Sequence, residues 1–138
     1  MKLGTLLGAL AGGIIMFLTG YLFFGFLFAD FFMANSNQYP GLIKDPPNVL
    51  LIFLFNLVWA WIISFVMEYS NREISPMGGA ILGAVLMFAI ALGMDIEYEA
   101  FMNIHKSFAP LVAHMVFVAV MGALAGTVIA VIQQKFNR

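Results

Sequence analysis

Residues 3–29 read LGTLLGALAGGIIMFLTGYLFFGFLFA, 27 residues without an Asp, Glu, Lys or Arg. About 20 helical residues at 1.5 Å each cross the hydrocarbon core of a bilayer, so this run alone is long enough to span one. Its Met-Lys-Leu start has the look of a signal peptide. The run is too long for an h-region, however, and no small-x-small cleavage site closes it, so it reads as a retained helix. Three further apolar runs follow at Val49–Met67, Met77–Met94 and Phe108–Ile132. Run length and the lack of alternation exclude membrane strands. The expected fold is an all-α integral membrane protein, an antiparallel bundle of four transmembrane helices. These cover about 3–30, 48–68, 76–95 with an extension to 104, and 108–134, within one membrane domain over 1–138.

Composition agrees. The chain is 63% hydrophobic and 9% charged, against about 45–50% and 25% in soluble domains. A soluble domain of this length leaves well over about a quarter of its surface exposed, so lipid must be the solvent for most of it. Six Lys and Arg against seven Asp and Glu give a formal charge of −1, with no basic excess for nucleic acid. There are no cysteines, which removes disulfides and thiolate metal sites. No GxSxG, Walker loop or HExxH is present, so no enzyme is expected and no cofactor is predicted.

The ends of the runs carry helix punctuation. Asp45-Pro46-Pro47 precedes the second span, with Asp45 read as N-cap; Ser75-Pro76 precedes the third, and Ser107 with Pro110 opens the fourth. The first connection, Asp30 to Asn48, reads as a semi-ordered loop. The short second connection, Glu68 to Pro76, predicts antiparallel neighbours. Lys2, Arg72, Lys135 and Arg138 lie on one side, Lys44 and Lys106 on the other. That imbalance places the N- and C-termini in the cytoplasm. The opposite side is acidic, with Asp30, Asp45, Asp95, Glu97 and Glu99.

Residues 8–17, GALAGGIIMF, match residues 79–88, GAILGAVLMF. Both spans cross in the same direction, so the match reads as a parallel duplication of a two-helix hairpin; chance similarity between Gly-Ala-rich segments is the alternative. Gly8 with Gly12, Gly79 with Gly83, and Gly122 with Gly126 are small-xxx-small pairs. The second span carries Asn56, Ala60 and Ser64 at the same spacing. In lipid such stripes let backbones approach closely, which is their expected role here. A surplus stripe on the first span would make a homo-oligomer.

Ionisable groups at membrane depth are functional suspects. The candidate ion or proton site comprises Asp30, Asp95, Glu97, Glu99, His105 and His114. At about 100° per residue Asp30 falls on the azimuth of Gly12 and Glu97 on that of Gly79, while Asp95 and Glu99 pair on the other half. The competing reading is that these are wet interfacial residues, with His114 and Asn56 bonded to neighbouring helices. The metal, if any, is unknown. Two histidines are too few for a zinc enzyme, and Met94, Met102 and Met115 beside them suit Cu(I) while being ordinary packing residues. Of Trp59 and Trp61, one is expected between helices and one toward lipid. Phe23, Phe24, Phe26, Phe28, Phe31 and Phe32 are expected on a lipid-facing or subunit-contact surface.

The stretches GYLFFGFLFADFF (20–32), PPNVLLIFLFNLVWAW (46–61), GGAILGAVLMF (78–88), GMDIEYEAF (93–101) and MGALAG (121–126) run in this order. In that order the chain resembles small four-span bacterial inner-membrane proteins of unknown function. The resemblance implies a bacterial inner-membrane location and transfers no activity or functional residue. The chain is also similar in size to small multidrug carriers, but residues 3–29 lack the acidic residue those place inside the first span. Three readings follow. The first is a non-enzymatic protein whose Gly-lined helix faces bind a second copy, a larger membrane complex or lipid. The second is a small ion, proton or solute pathway using the acidic non-cytoplasmic side. The third is a membrane enzyme. Nucleic acid is not among the partners.

Overall fold

The computed structural model describes residues 2–70 and 73–137. It is all-helical: α1 (Leu3–Gly20), a π-helical segment (Tyr21–Leu27), α2 (Ala29–Asn35), α3 (Val49–Tyr69), α4 (Pro76–Phe101) and α5 (Ala109–Phe136). Four stretches are long and apolar enough to span: Leu3–Leu27, Val49–Tyr69, Pro76–Phe101 and Ala109–Phe136. Arg72 and Arg138, two of the four basic residues behind the expected orientation, lie outside the described residues.

The first span is not the straight helix expected over 3–30. The Thr19 hydroxyl donates back to the Ile15 carbonyl at 2.7 Å and to that of Met16 at 3.2 Å, a pattern that bends helices. The ladder then widens into the π segment, and Phe28 leaves helical geometry at φ −122°, ψ 12°. Asp30 therefore sits in a separate short helix and is exposed, and its projected azimuth on the packed face is corrected. The cap of α3 is also corrected: Asn48, not Asp45, accepts from Leu51 N–H at 3.0 Å. Ser75 caps α4 as expected, accepting from Gly78 N–H at 3.0 Å with Pro76 in the first turn. That helix ends at Phe101, short of 104. No side chain caps α5, where Phe108 is the N-cap residue and Ser107 accepts from Ala109 N–H at 3.4 Å.

Within the bundle α1 packs on α3 and on α5, and α5 packs on α4; α3 and α4 touch only lightly. The short connection thus reverses the chain without making α3 and α4 close neighbours. Glycine sets the two tight crossings. A Cβ at Gly79 would collide with the Gly126 carbonyl oxygen, and one at Gly83 with that of Gly122, so α4 and α5 meet backbone to backbone. On α1, a Cβ at Gly8 would lie 3.1 Å from Ser64 Oγ, and one at Gly12 would lie 2.7 Å from Ile129 and 3.3 Å from Ala60. Every small face named from the sequence is therefore taken up inside the chain. Around these crossings Met16, Ala60, Ile63, Met87, Ala91, Val118, Met121, Ala125 and Ile129 form the core. Trp59 packs against it, while Trp61 is 42% exposed on the outer surface.

Candidate functional site

Lys2, Glu68 and Asn137 gather at one end of the bundle. The acidic residues gather at the other. Asp95, in α4, is 5% exposed, and its Oδ2 lies 2.8 Å from Nδ1 of His114 in α5. Both residues belong to membrane-spanning helices; Asp95 stands six residues from the end of α4, about 9 Å along the axis. Nδ1 faces the carboxylate, which leaves Nε2 as the ring nitrogen outside that bond. The ring itself lies against Phe24, tilted at 53° with 5.6 Å between centroids. One helical turn further out Glu99 repeats the arrangement, its Oε1 2.6 Å from Nδ1 of His105. Asp30 and Glu97 join neither pair and are exposed.

The burial of Asp95 corrects the azimuth argument. The buried residues of α4 are Gly79, Gly83, Met87, Ala91 and Asp95, a strict step of four. On an isolated cylinder that row drifts by about 40° per step, which put Asp95 opposite Gly79 and Glu97 on the packed side. Helices in contact along their i, i+4 ridges cross at an angle, so the contact moves around each helix with depth and follows the row. Asp95 thus ends the buried row that begins with the seam glycines Gly79 and Gly83.

The phenylalanines of the first span also depart from expectation. Phe23, Phe24 and Phe28 surround Phe117 of α5 at centroid distances of 5.1, 5.9 and 4.5 Å, and Phe32 lies at 6.3 Å. Only part of the set faces outward, with Phe26 71% exposed. The π segment and the break at Phe28 turn these rings inward, which a regular helical projection cannot show. They pack at the acidic end of the bundle, beside His114.

At the opposite end a second polar cluster was only half visible in the sequence. The Ser64 hydroxyl donates to the Thr5 carbonyl at 2.8 Å, and Gln133 Nε2 donates to the Ser64 carbonyl and hydroxyl at 2.7 and 2.8 Å. The Glu68 carboxylate accepts from Lys2 N–H at 3.2 Å and from the Thr5 side chain. Thr5 and Ser64 are fully buried. Thr5 and Gln133 escaped notice because neither lies on a small-residue stripe; the signal was polar side chains in the terminal turns of long apolar helices. Asn56, expected to bond a neighbouring helix, instead donates to the Ile52 carbonyl of its own helix at 2.8 Å. Its Oδ1 is buried with no partner among the described residues.

Between the two polar ends the core is apolar, formed by Met16, Met87, Ala91, Val118, Met121 and Ala125. Among the described residues no three His, Cys, Asp or Glu side chains converge. Comparison with known protein families, curated proteins and solved structures finds no match to this chain.

Proposed function

We propose that this chain is a non-enzymatic membrane protein that accepts a proton at its outer end, on the pair formed by the buried Asp95 carboxylate and the His114 imidazole, whose side chain is 37% exposed. The observation that carries the reading is a carboxylate 5% exposed inside a spanning helix and bonded to an imidazole at 2.8 Å. Charge at that depth is costly unless paired, and in spanning helices it is associated with ion and proton pathways. The pair supplies one carboxylate and one free ring nitrogen. That suffices for a proton and falls short of a metal shell, which takes four or more ligands in most sites. The glycine faces that would support a complex-forming role are consumed within the bundle, so the proton reading is favoured over it.

In this conformation the core closes the route from Asp95 toward the other end. Passage therefore requires α5 to shift against α1 and α4, and in its absence the site is a one-sided acceptor. The test is proton flux into liposomes holding a trapped pH dye, under an imposed gradient. Wild-type chain should exceed protein-free vesicles, with Asp95→Asn and His114→Phe near background and Glu97→Gln unchanged. Wild-type flux no greater than that of empty vesicles, or full flux through Asp95→Asn, defeats the pathway.

A further inference from the structure

The outer surface between α1 and α3 holds an apolar groove that belongs to neither polar end. Leu6, Ala9 and Leu10 of α1 and Leu57, Val58 and Trp61 of α3 line it, around about 350 Å³. The sequence makes this shape. Gly13 lets α1 come down onto α3, since a Cβ there would lie only 3.0 Å from Leu57 Cα. One turn away Ala9, 5% exposed, has too short a side chain to fill the space above it. Leu6 and Leu10 therefore stand on one side of the gap and Val58 and Trp61 on the other. All four are exposed where the spanning helices face the bilayer.

Both walls lead to the end of the bundle that holds Lys2 and Glu68. Along α3, the rings of Trp61, Phe65 and Tyr69 follow one another at steps of four residues, with centroids 5.8 and 6.2 Å apart. Tyr69 is the last residue of α3 and is exposed, as tyrosine at headgroup level is. Along α1, Lys2 stands four residues before Leu6, about 6 Å along the axis. Its N–H donates to the Glu68 carboxylate of α3 at 3.2 Å, so this exposed lysine sits between the ends of the two helices. Lysine in such a place lays its aliphatic stem on apolar surface and keeps its ammonium in water.

We infer that the groove seats one anionic phospholipid, with an acyl chain against Leu6, Leu10, Val58 and Trp61 and the phosphate at Lys2. This site is separate from the Asp95–His114 pair and does not rest on the proton reading. Charge selects the headgroup. In the sequence the segments at this end carry Lys2, Arg72, Lys135 and Arg138 against Glu68 and Glu73, four basic residues to two acidic ones. Glu68 opposes an anion, and its carboxylate already accepts from Lys2 N–H and the Thr5 side chain. A zwitterionic lipid fits the same groove but gains nothing from the basic excess.

The test uses the full chain in phosphatidylcholine nanodiscs and reads indole quenching by bromine on lipid acyl chains. Trp59→Phe leaves Trp61 as the single indole. Brominated phosphatidylglycerol should compete for the site about fivefold better than brominated phosphatidylcholine, the worth of one lysine near the surface. Lys2→Gln should bring that ratio close to one, and raised salt should lower it in the unaltered groove. The control is Val85→Trp with both native tryptophans changed to Phe. Val85 is exposed on α4 nine residues after Pro76, while Trp61 lies eight residues before Tyr69, so the two probes sit at similar depth from the same end. The control should show no preference between the lipids. A ratio at Trp61 equal to the control, or unchanged by Lys2→Gln, overturns the site. So does an absence of quenching by either lipid, which is the result expected where a second copy of the chain covers the groove.

Discussion

Gly83→Ala places one methyl group where α4 and α5 touch. The new Cβ would overlap the Gly122 carbonyl oxygen and lie 2.8 Å from its carbon and 3.2 Å from Gly126 Cα. Carbon contacts settle at about 3.5–4.0 Å, so the helices must part by nearly 1 Å at this level. Backbone atoms have no rotamer to escape into. A gap of about 0.5–1 Å forfeits about a quarter to a half of the 0.1–0.2 kcal/mol in each atom pair, and about 40–60 pairs give a loss of roughly 2–3 kcal/mol. Ala over Gly returns about 0.8–1 kcal/mol in helix propensity, leaving a net destabilisation of about 1–2 kcal/mol. Gly93, on the same helix, supplies the control: nothing lies within 4 Å of its Cβ position. Gly93→Ala should be neutral or stabilising by up to about 1 kcal/mol. Reversible unfolding in mixed micelles against rising SDS, followed by circular dichroism, should separate the two variants by about 2–3 kcal/mol. Equal stabilities within about 0.5 kcal/mol would refute the close-contact account of the seam.

At the Asp95–His114 pair, His114→Ala removes the hydrogen bond to a buried carboxylate and should cost about 1.5 kcal/mol, the low end for such a bond because the imidazole is 37% exposed, whereas Asp95→Asn keeps an amide oxygen facing Nδ1 and should cost less. The same unfolding assay ranks them, and the reverse order contradicts the assignment of Asp95 as the buried charge. Gln133→Leu removes two hydrogen bonds to Ser64 and should destabilise by about 1–2 kcal/mol; wild-type stability would mean the cluster is solvated rather than structural. Asn56→Leu should be neutral or stabilising, because Oδ1 has no partner to lose. A loss above about 1 kcal/mol would show that something occupies that oxygen in the membrane.

The four spans were legible because bilayer thickness acts on composition alone: a run such as 49–67 needs no partner to be recognised. The glycine pairs were legible for a related reason, since small residues four apart serve little other purpose in lipid. What failed was projection. Asp30 and Glu97 were assigned to packed faces by turning a straight cylinder, and the protein bends at Thr19 and Phe28 and crosses its helices along four-residue ridges. Pairing was out of reach as well. His114 and Asp95 are nineteen residues apart, and nothing in their local sequence says that the register of α5 on α4 brings them together. The hydrogen bonds fastening residues 35–39 to 103–106 join segments more than sixty residues apart, inside a stretch that read as loop.

The two hairpins sharpen the question of what the site is for. Gly8 faces Ser64 and Gly12 faces Ala60 in the first; Gly79 faces Gly126 and Gly83 faces Gly122 in the second. In each hairpin small residues of the first helix thus meet small residues of the second, although Gly8 and Gly12 also lie against Ile129 of α5. Carried outward along the same register, Asp95 of α4 corresponds to Phe24 at the end of the first span, and His114 corresponds to Ile52. The π-helical turn ends that register in the first hairpin, and Phe24 turns instead to the second, its ring 5.6 Å from the His114 imidazole. Packing alone would be served equally well by apolar residues at the end of the α4–α5 seam, since a buried polar group is a poor source of stability. A carboxylate–imidazole dyad at the end of the α4–α5 seam, walled by a ring from the other hairpin, is therefore the place to test for a role beyond holding helices together.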